Sequence, residues 1–336
     1  VNRELKELNE AHSGDLVEST KLNDVFTGEC LSTKEGYGKQ AEMEFPKPQM
    51  LVAIEALNKN DEDKISTGIQ RLREEDPSFT YNRNKETKQM VLGVQGEIHV
   101  NAIKDKLKEK FGVEVAIKDL KVPYRETIKG TSDVQGKHKK QSGGHGQYGD
   151  VKIKFSPSSE PFEFAEEIFG GSVPKSYIPA VEKGLRDCLE HGVLAGYPVT
   201  NIKATLYDGS YHDVDSSEMA FKMAASLAFK KGIEEAKPVL LEPVMKLSIY
   251  VPEEYMGDIM GDINKKRGRV LGMEPFKSHK QVIYAEAPQS ETFKYAIDLK
   301  AMTQGRGYFE MEFVRYEEVP AQLAEKIIAE AKAEKQ

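Results

Sequence analysis

The residues with the chemistry to hold a ligand concentrate in one stretch, Lys137–Gly149, which reads Lys-His-Lys-Lys-Gln-Ser-Gly-Gly-His-Gly-Gln-Tyr-Gly. Ammonium and imidazole donors hold phosphate, and a tyrosine ring stacks on bases. The window Lys121–Phe155 carries eight Lys/Arg against three Asp/Glu, whereas the whole chain has a net charge of −7. A basic projection on an acidic body aims a narrow tip at phosphate and keeps its flanks away from it. The alternation Val151, Ile153, Phe155 predicts a strand beyond the stretch, so the stretch itself reads as a loop at the turn between two strands. Taken alone, it is equally a glycine hairpin with solvated lysines.

Two nucleotide signatures fail here. Gly144-His-Gly146-Gln-Tyr-Gly149 spells G-x-G-x-x-G, but a dinucleotide site needs a helix to open at the last glycine. Asp150–Phe155 alternates like a strand instead. Gly130–His138 resembles a phosphate-binding loop with five residues between its glycines instead of four, and His138 stands where Ser or Thr must reach magnesium.

Other chemistry is sparse. None of the seven histidines has zinc-site spacing, and Cys30 and Cys188 form no ligand pair. Both cysteines read as reduced, small apolar residues. His145 and His212 would converge if two loops met at one end of a domain, which leaves a metal hydrolase as one alternative. No carboxylate stands at ligand spacing beside His145. Ser216 and Ser217 beside Asp215 read as a helix cap in Asp215-Ser-Ser-Glu218 rather than as nucleophiles. The clusters Lys265-Lys266-Arg267-Gly-Arg269 and Gln304-Gly-Arg306-Gly307 are open to two readings, helix-end cations or RNA-backbone contacts.

The elements that must position these residues follow a repeated plan. The chain has 336 residues, 39% hydrophobic and 31% charged, which suits two or three cytosolic domains. It holds no apolar run of membrane-spanning length and no signal peptide. Residues 1–46 show a helical start at Val1–His12 and strand-like pieces, read as the end of a β-barrel, up to the break at Phe45-Pro-Lys-Pro48. Residues 47–120 and 242–336 each order their elements βαββαβ, the ferredoxin-like plan, the second with an added C-terminal helix. In the helix Glu97–Phe111, Ile98, Ala102, Ile103, Leu107 and Phe111 fall at helical spacing. Residues 121–241 differ, with long strands and two helices. The fold class is therefore α+β and multidomain.

Several runs resemble elongation factor G, the translocase GTPase of the ribosome. They are Gln141–Gly149, Val173-Pro-Lys-Ser-Tyr-Ile-Pro-Ala-Val181, Leu206–Phe221, Leu240-Leu-Glu-Pro243, Pro252–Asp258, Leu271-Gly-Met-Glu-Pro275 and Thr303-Gln-Gly-Arg-Gly307. The likeness keeps the family order and covers nearly the whole chain. It implies the end of domain II at 1–46, domain III at 47–120, domain IV at 121–241 with a ribosomal-protein-like βαβ core, and domain V at 242–336. It also implies a cytoplasmic monomer whose GTP and Mg2+ belong to a GTPase half outside this chain, so that the chain alone has no activity. The partners implied are the decoding site, the tRNA–mRNA duplex and large-subunit RNA near the GTPase centre. Carried over, the tip residues are Ser142, Gly143, Gly144, His145, Gly146, Gln147, Tyr148 and Gly149, with His212 in the neighbouring loop. The tip glycines would let backbone approach RNA. In domain V, Lys265, Lys266, Arg267, Arg269 and Arg306 would face RNA. The family usually has Arg where His145 stands, and its Gly-Met-Gly-Glu-Leu-His reads here Val94-Gln95-Gly96-Glu97-Ile98-His99. These departures suggest a divergent paralogue. They set ribosome recycling or an accessory step beside translocation, and a stand-alone RNA-binding module beside both.

Overall fold

The computed structural model describes residues 7–20, 22, 25, 27–33, 43, 45–142, 145–277 and 279–333. Before Met50 the described residues form neither strand nor helix. The barrel remnant expected of residues 1–46 is therefore not seen among them, and the described part of Val1–His12 is not helical. Leu8, Leu16 and Val17 are all exposed. Without apolar burial, local propensity does not hold a short helix or strand.

The first folded unit runs β1 (Met50–Ala56), α1 (Glu62–Glu75), β2 (Thr80–Arg83), β3 (Met90–Val94), α2 (Glu97–Phe111) and β4 (Val115–Lys118). Its antiparallel sheet has the order β2-β3-β1-β4. Val52, Ile54, Leu92 and Val94 face the helices and meet Ile65, Ile69, Leu72, Ile103 and Leu107. In α2 the inward stripe is Val100, Ile103 and Leu107. Ile98, expected to point inward, is 87% exposed because it lies about half a turn around from Val100.

The middle unit runs β5 (Arg125–Ile128), β6 (Ser132–Ser142), β7 (His145–Pro157), β8 (Phe162–Glu166), α3 (Ile178–Cys188), β9 (Ile202–Ser210) and α4 (Glu218–Glu235). Its sheet order is β6-β7-β9-β8, and β8 and β9 pair in parallel across α3, a βαβ unit. Phe155, Leu206, Phe221, Ala224 and Ala228 stand in its core.

The last unit runs β10 (Pro238–Pro252), α5 (Met256–Lys265), β11 (Arg269–Phe276), β12 (Lys280–Pro288), α6 (Tyr295–Met302), β13 (Tyr308–Glu318) and α7 (Ala321–Ala333). The sheet order β11-β12-β10-β13 repeats that of the first unit. Its core joins Leu247, Ile249, Ile263, Ile283, Tyr295 and Leu299. β10 is shared: Pro238–Leu241 pairs with β5, and Leu241–Tyr250 pairs with β13. A small cluster of Leu240, Val319 and Ile327, flanked by Tyr124 and Tyr197, packs α7 against this junction.

Glu126 on β5 is fully buried. Its carboxylate accepts the N–H groups of Leu194, Ala195, Gly196 and Tyr197 at 2.8–3.1 Å. Backbone donors turned to one point neutralise a charge as a bound anion would be neutralised. The carboxylate thereby holds the loop after α3 against β5.

Candidate nucleic-acid interface

The stretch expected to be a loop is mostly strand. β6 and β7 pair from Ser132↔Phe155 to Ser142↔His145, so the turn falls at residues 143–144. Gly143 and Gly144 lie outside the described residues, as do the side chains of Gln141, Ser142 and His145. β9 pairs with β7 only from Asp150 to Pro157. Residues 138–142 and 145–149 therefore project past β9 as a two-stranded ribbon. The same strand explains why both nucleotide signatures fail, since neither is followed by a helix N-terminus.

The glycines serve packing inside the protein. A Cβ on Gly136 would collide with the Ala224 carbonyl, and one on Gly149 would lie 2.5 Å from the Ala220 carbonyl. They let the ribbon lie directly on α4. Gly146 has the same relation to Asp215, whose carboxylate would stand 2.8 Å from an added Cβ.

The segment after β9 staples the ribbon. Asp215 Oδ1 accepts the Gly146 N–H at 3.0 Å, and the Asp215 carbonyl accepts the Tyr148 N–H at 2.8 Å. Ser216 Oγ donates to the Tyr148 carbonyl at 2.9 Å and accepts the His212 N–H at 2.9 Å. The helix cap expected from Asp215 is made instead by Ser217, whose hydroxyl accepts the Ala220 N–H at 3.2 Å. Only the residue next to the helix has the cap geometry, which leaves Asp215 and Ser216 for the ribbon. Sequence reasoning missed this role because a cap motif already accounted for both.

Tyr148 and His212 come together, with ring centroids 6.5 Å apart. His212 Nδ1 accepts the N–H groups of Val214 and Asp215 at 3.3 Å each. The ring proton therefore sits on Nε2, and no described residue pairs with that donor. The Tyr148 hydroxyl donates to Ser210 Oγ at 2.7 Å, and Ser210 donates to the buried Asp150 at 2.8 Å. Its hydroxyl is thus occupied, and Lys137 stands 5.4 Å from the ring centroid. His138 Nε2 meets Gln147 Oε1 at 2.9 Å across the ribbon. Lys139 and Lys140 are exposed and form no ion pair among the described residues. These two cations belong with the expected tip set. The ribbon and the loop at its base thus offer cations, an imidazole N–H and an aromatic ring on a braced frame, the donor set for phosphate and bases.

The basic residues of the last unit are differently placed. Lys266 bonds Asp298 at 2.7 Å. Arg267 is bidentate to Glu242 at 2.6 and 2.9 Å and also reaches Glu291 at 3.0 Å. Arg269 and Arg315 share Glu286. Bonds from Arg315 and then Arg269 hold the Glu286 carboxyl down at about 2. Arg306 pairs with Glu254 at 2.7 Å and bonds the Tyr255 hydroxyl. Of the five expected contacts, Lys265 alone is exposed without an ion pair among the described residues.

His99 is structural: it receives the Gln95 N–H at Nδ1 and bonds Asp76 at 3.0 Å through Nε2. Among the described residues no group of three or more His, Cys, Asp and Glu could hold a metal ion. Cys30 is exposed, and Cys188 is half-buried against Ser226. No helix among the described residues is long and apolar enough to cross a membrane.

Three consecutive family models match. The model described as Elongation Factor G, domain III, covers residues 45–119, Elongation factor G, domain IV, covers 120–237, and Elongation factor G C-terminus covers 239–327. Among solved structures, a crystal structure of a Thermus thermophilus protein is 44% identical, with a TM-score of 0.78. The likeness takes in 88% of this chain and 45% of that one, so this chain spans about half the length of that protein. With three successive domains matched in order, the chain belongs to the elongation factor G family and carries its domain III, domain IV and C-terminal portion.

Proposed function

We propose that this chain is the ribosome-engaging part of a cytoplasmic, monomeric translational GTPase and promotes tRNA–mRNA translocation. The observation that supports this best is the ribbon stapled by Asp215 and Ser216, which presents His212, Tyr148, Lys139 and Lys140 at the far end of domain IV. In this reading the ribbon enters the decoding site and contacts the tRNA–mRNA duplex, and the C-terminal domain faces large-subunit RNA near the GTPase centre. GTP and Mg2+ bind elsewhere in the complete factor. Gly130–His138, which runs into β6, offers no nucleotide cradle. In this reading the chain acts by binding and mechanics.

The test is His212→Ala in the complete factor on pre-translocation ribosomes. Translocation is expected to slow about tenfold, the equivalent of one good hydrogen bond, with GTP hydrolysis little changed. Equal loss of both activities would remove the tip role. Splitting of post-termination ribosomes is the second assay, motivated by His145 in place of the family's usual Arg. Activity there with none in translocation would make recycling the step served.

A further inference from the structure

The open face of the C-terminal sheet carries aromatic rings where the other sheet of the same plan has none. On β10, Leu247, Ile249 and Val251 enter the core, so Lys246, Ser248 and Tyr250 occupy the opposite face. The registers Ser248↔Tyr284 and Tyr250↔Tyr308 put Tyr284 of β12 and Tyr308 of β13 on that face. Phe276 joins them from β11, opposite Lys280. Tyr250 stacks on Tyr308 with centroids 4.6 Å apart and planes 11° from parallel, and Phe276 meets Tyr250 edge-on at 4.9 Å. Lys246 stands 5.9 Å from the Tyr284 centroid and Lys280 stands 5.8 Å from that of Tyr308. Tyr308 is 37% and Phe276 36% exposed.

The N-terminal sheet has the same strand order and serves as an internal control. Its matching face presents Leu51, Ala53 and Glu55 on β1 and Val91 and Gly93 on β3, and Leu51 lines a cleft shared with Lys246 and Ser248 of the C-terminal sheet. Packing of this plan therefore does not demand rings on that face. A tyrosine on each of the two central strands of a four-stranded βαββαβ sheet is the arrangement on which unpaired bases stack.

We propose that this face binds unpaired RNA. Bases stack on Tyr284 and on the Tyr250–Tyr308 pair, and a phosphate meets Lys280. The proposal rests on the reading that the chain works against ribosomal RNA, and it moves the contact of the last domain from its basic loops to its sheet. The arginines of those loops already hold carboxylates. Charge on the sheet face is nearly balanced: Glu310 pairs with Lys47 at 3.0 Å and Glu312 with Lys246 at 3.6 Å. Recognition therefore comes from ring faces more than from phosphate. Paired RNA, whose base faces are covered, is disfavoured.

The test uses the full chain and a labelled, unstructured, adenine-rich RNA of about ten nucleotides, read by anisotropy at about 0.1 M salt. The chain lacks Trp, so quenching of tyrosine emission gives a second signal. Tyr284→Leu and Tyr308→Leu, which keep apolar cover, are expected to weaken binding about tenfold each, and Tyr284→Phe to retain it. An abasic strand and the matching duplex are expected to bind at least tenfold more weakly. The logarithmic salt slope is expected at about −0.7, one phosphate on a single strand. Equal affinity of wild type and both leucine variants, or of the abasic strand, would overturn the proposal. So would no RNA binding at all, or loss only in Lys139→Ala/Lys140→Ala, which places the RNA on the ribbon. The tip role is read separately, through His212→Ala in translocation, so either reading can fail alone.

Discussion

Removing the Asp215 carboxylate should release the ribbon without unfolding domain IV. The carboxylate accepts one backbone N–H, that of Gly146, at 3.0 Å. A bond from an N–H to an ionised acceptor contributes about 1.5–3 kcal/mol. The Asp215 side chain is 29% exposed, so the lower end applies, about 1.5 kcal/mol, or roughly a tenfold shift toward the released ribbon. Amide hydrogen exchange on a nitrogen-15-labelled chain reads this directly. In Asp215→Ala the Gly146 amide should exchange about tenfold faster. The Tyr148 amide, bonded to the Asp215 backbone carbonyl, should change less, and amides of α4 should not change. Asp215→Asn keeps an oxygen acceptor and should fall between. Gly146 exchange at the wild-type rate in the alanine variant would refute the staple. An asparagine variant as fast as alanine would show that the retained oxygen does not hold the ribbon.

Three further outcomes follow from packing and charge. Gly136→Ala drives a methyl group into the Ala224 carbonyl; a loss of about 2–3 kcal/mol is expected in urea unfolding, and a neutral result would mean that α4 does not rest on β6 there. Glu126→Gln leaves one oxygen and an amide donor facing four N–H groups, so it should cost about 3 kcal/mol by the same measurement. Glu286 has its folded pKa below its ordinary 4.5. Its stabilisation is therefore present above about pH 4.5 and is lost as pH falls toward 2. The melting temperature should fall across that window in wild type and change less in Glu286→Gln; parallel curves would sink the assignment.

Periodicity made the two repeated sheets legible, because each buries one face under two helices and alternation marks that face. In α4 the expected stripe of Ala220, Met223, Ala224, Leu227 and Ala228 holds only at its alanines; Met223 and Leu227 are exposed, and Phe221, Phe229 and Ile233 are buried instead. The ends were not legible. Among the described residues before Met50, Leu8, Leu16 and Val17 are exposed, so the strand-like alternation there marks no buried face. At the tip, Gly149 admits α4 and Gly146 admits Asp215, and sequence alone gives no sign of which backbone comes near. The arginines read as RNA contacts could not be told from structural ones, because Glu242, Glu286 and Glu254 meet them only through the fold.

The sharing of β10 has a mechanical consequence. Domain IV begins with β5 and leads out into β10, and these two strands are hydrogen-bonded to each other within the C-terminal sheet. The Lys129 and Gly130 N–H groups, bonded to the Lys237 and Ala236 carbonyls, carry that ladder on toward the start of β6, and it resists torsion between the ribbon and that sheet. β6, with 11 residues, extends roughly 35 Å at about 3.4 Å per residue, so a rotation of about 10° at its base sweeps its end through about 6 Å. The tip and the last domain then turn as a single crowbar, and whatever grips the sheet sets where the ribbon points.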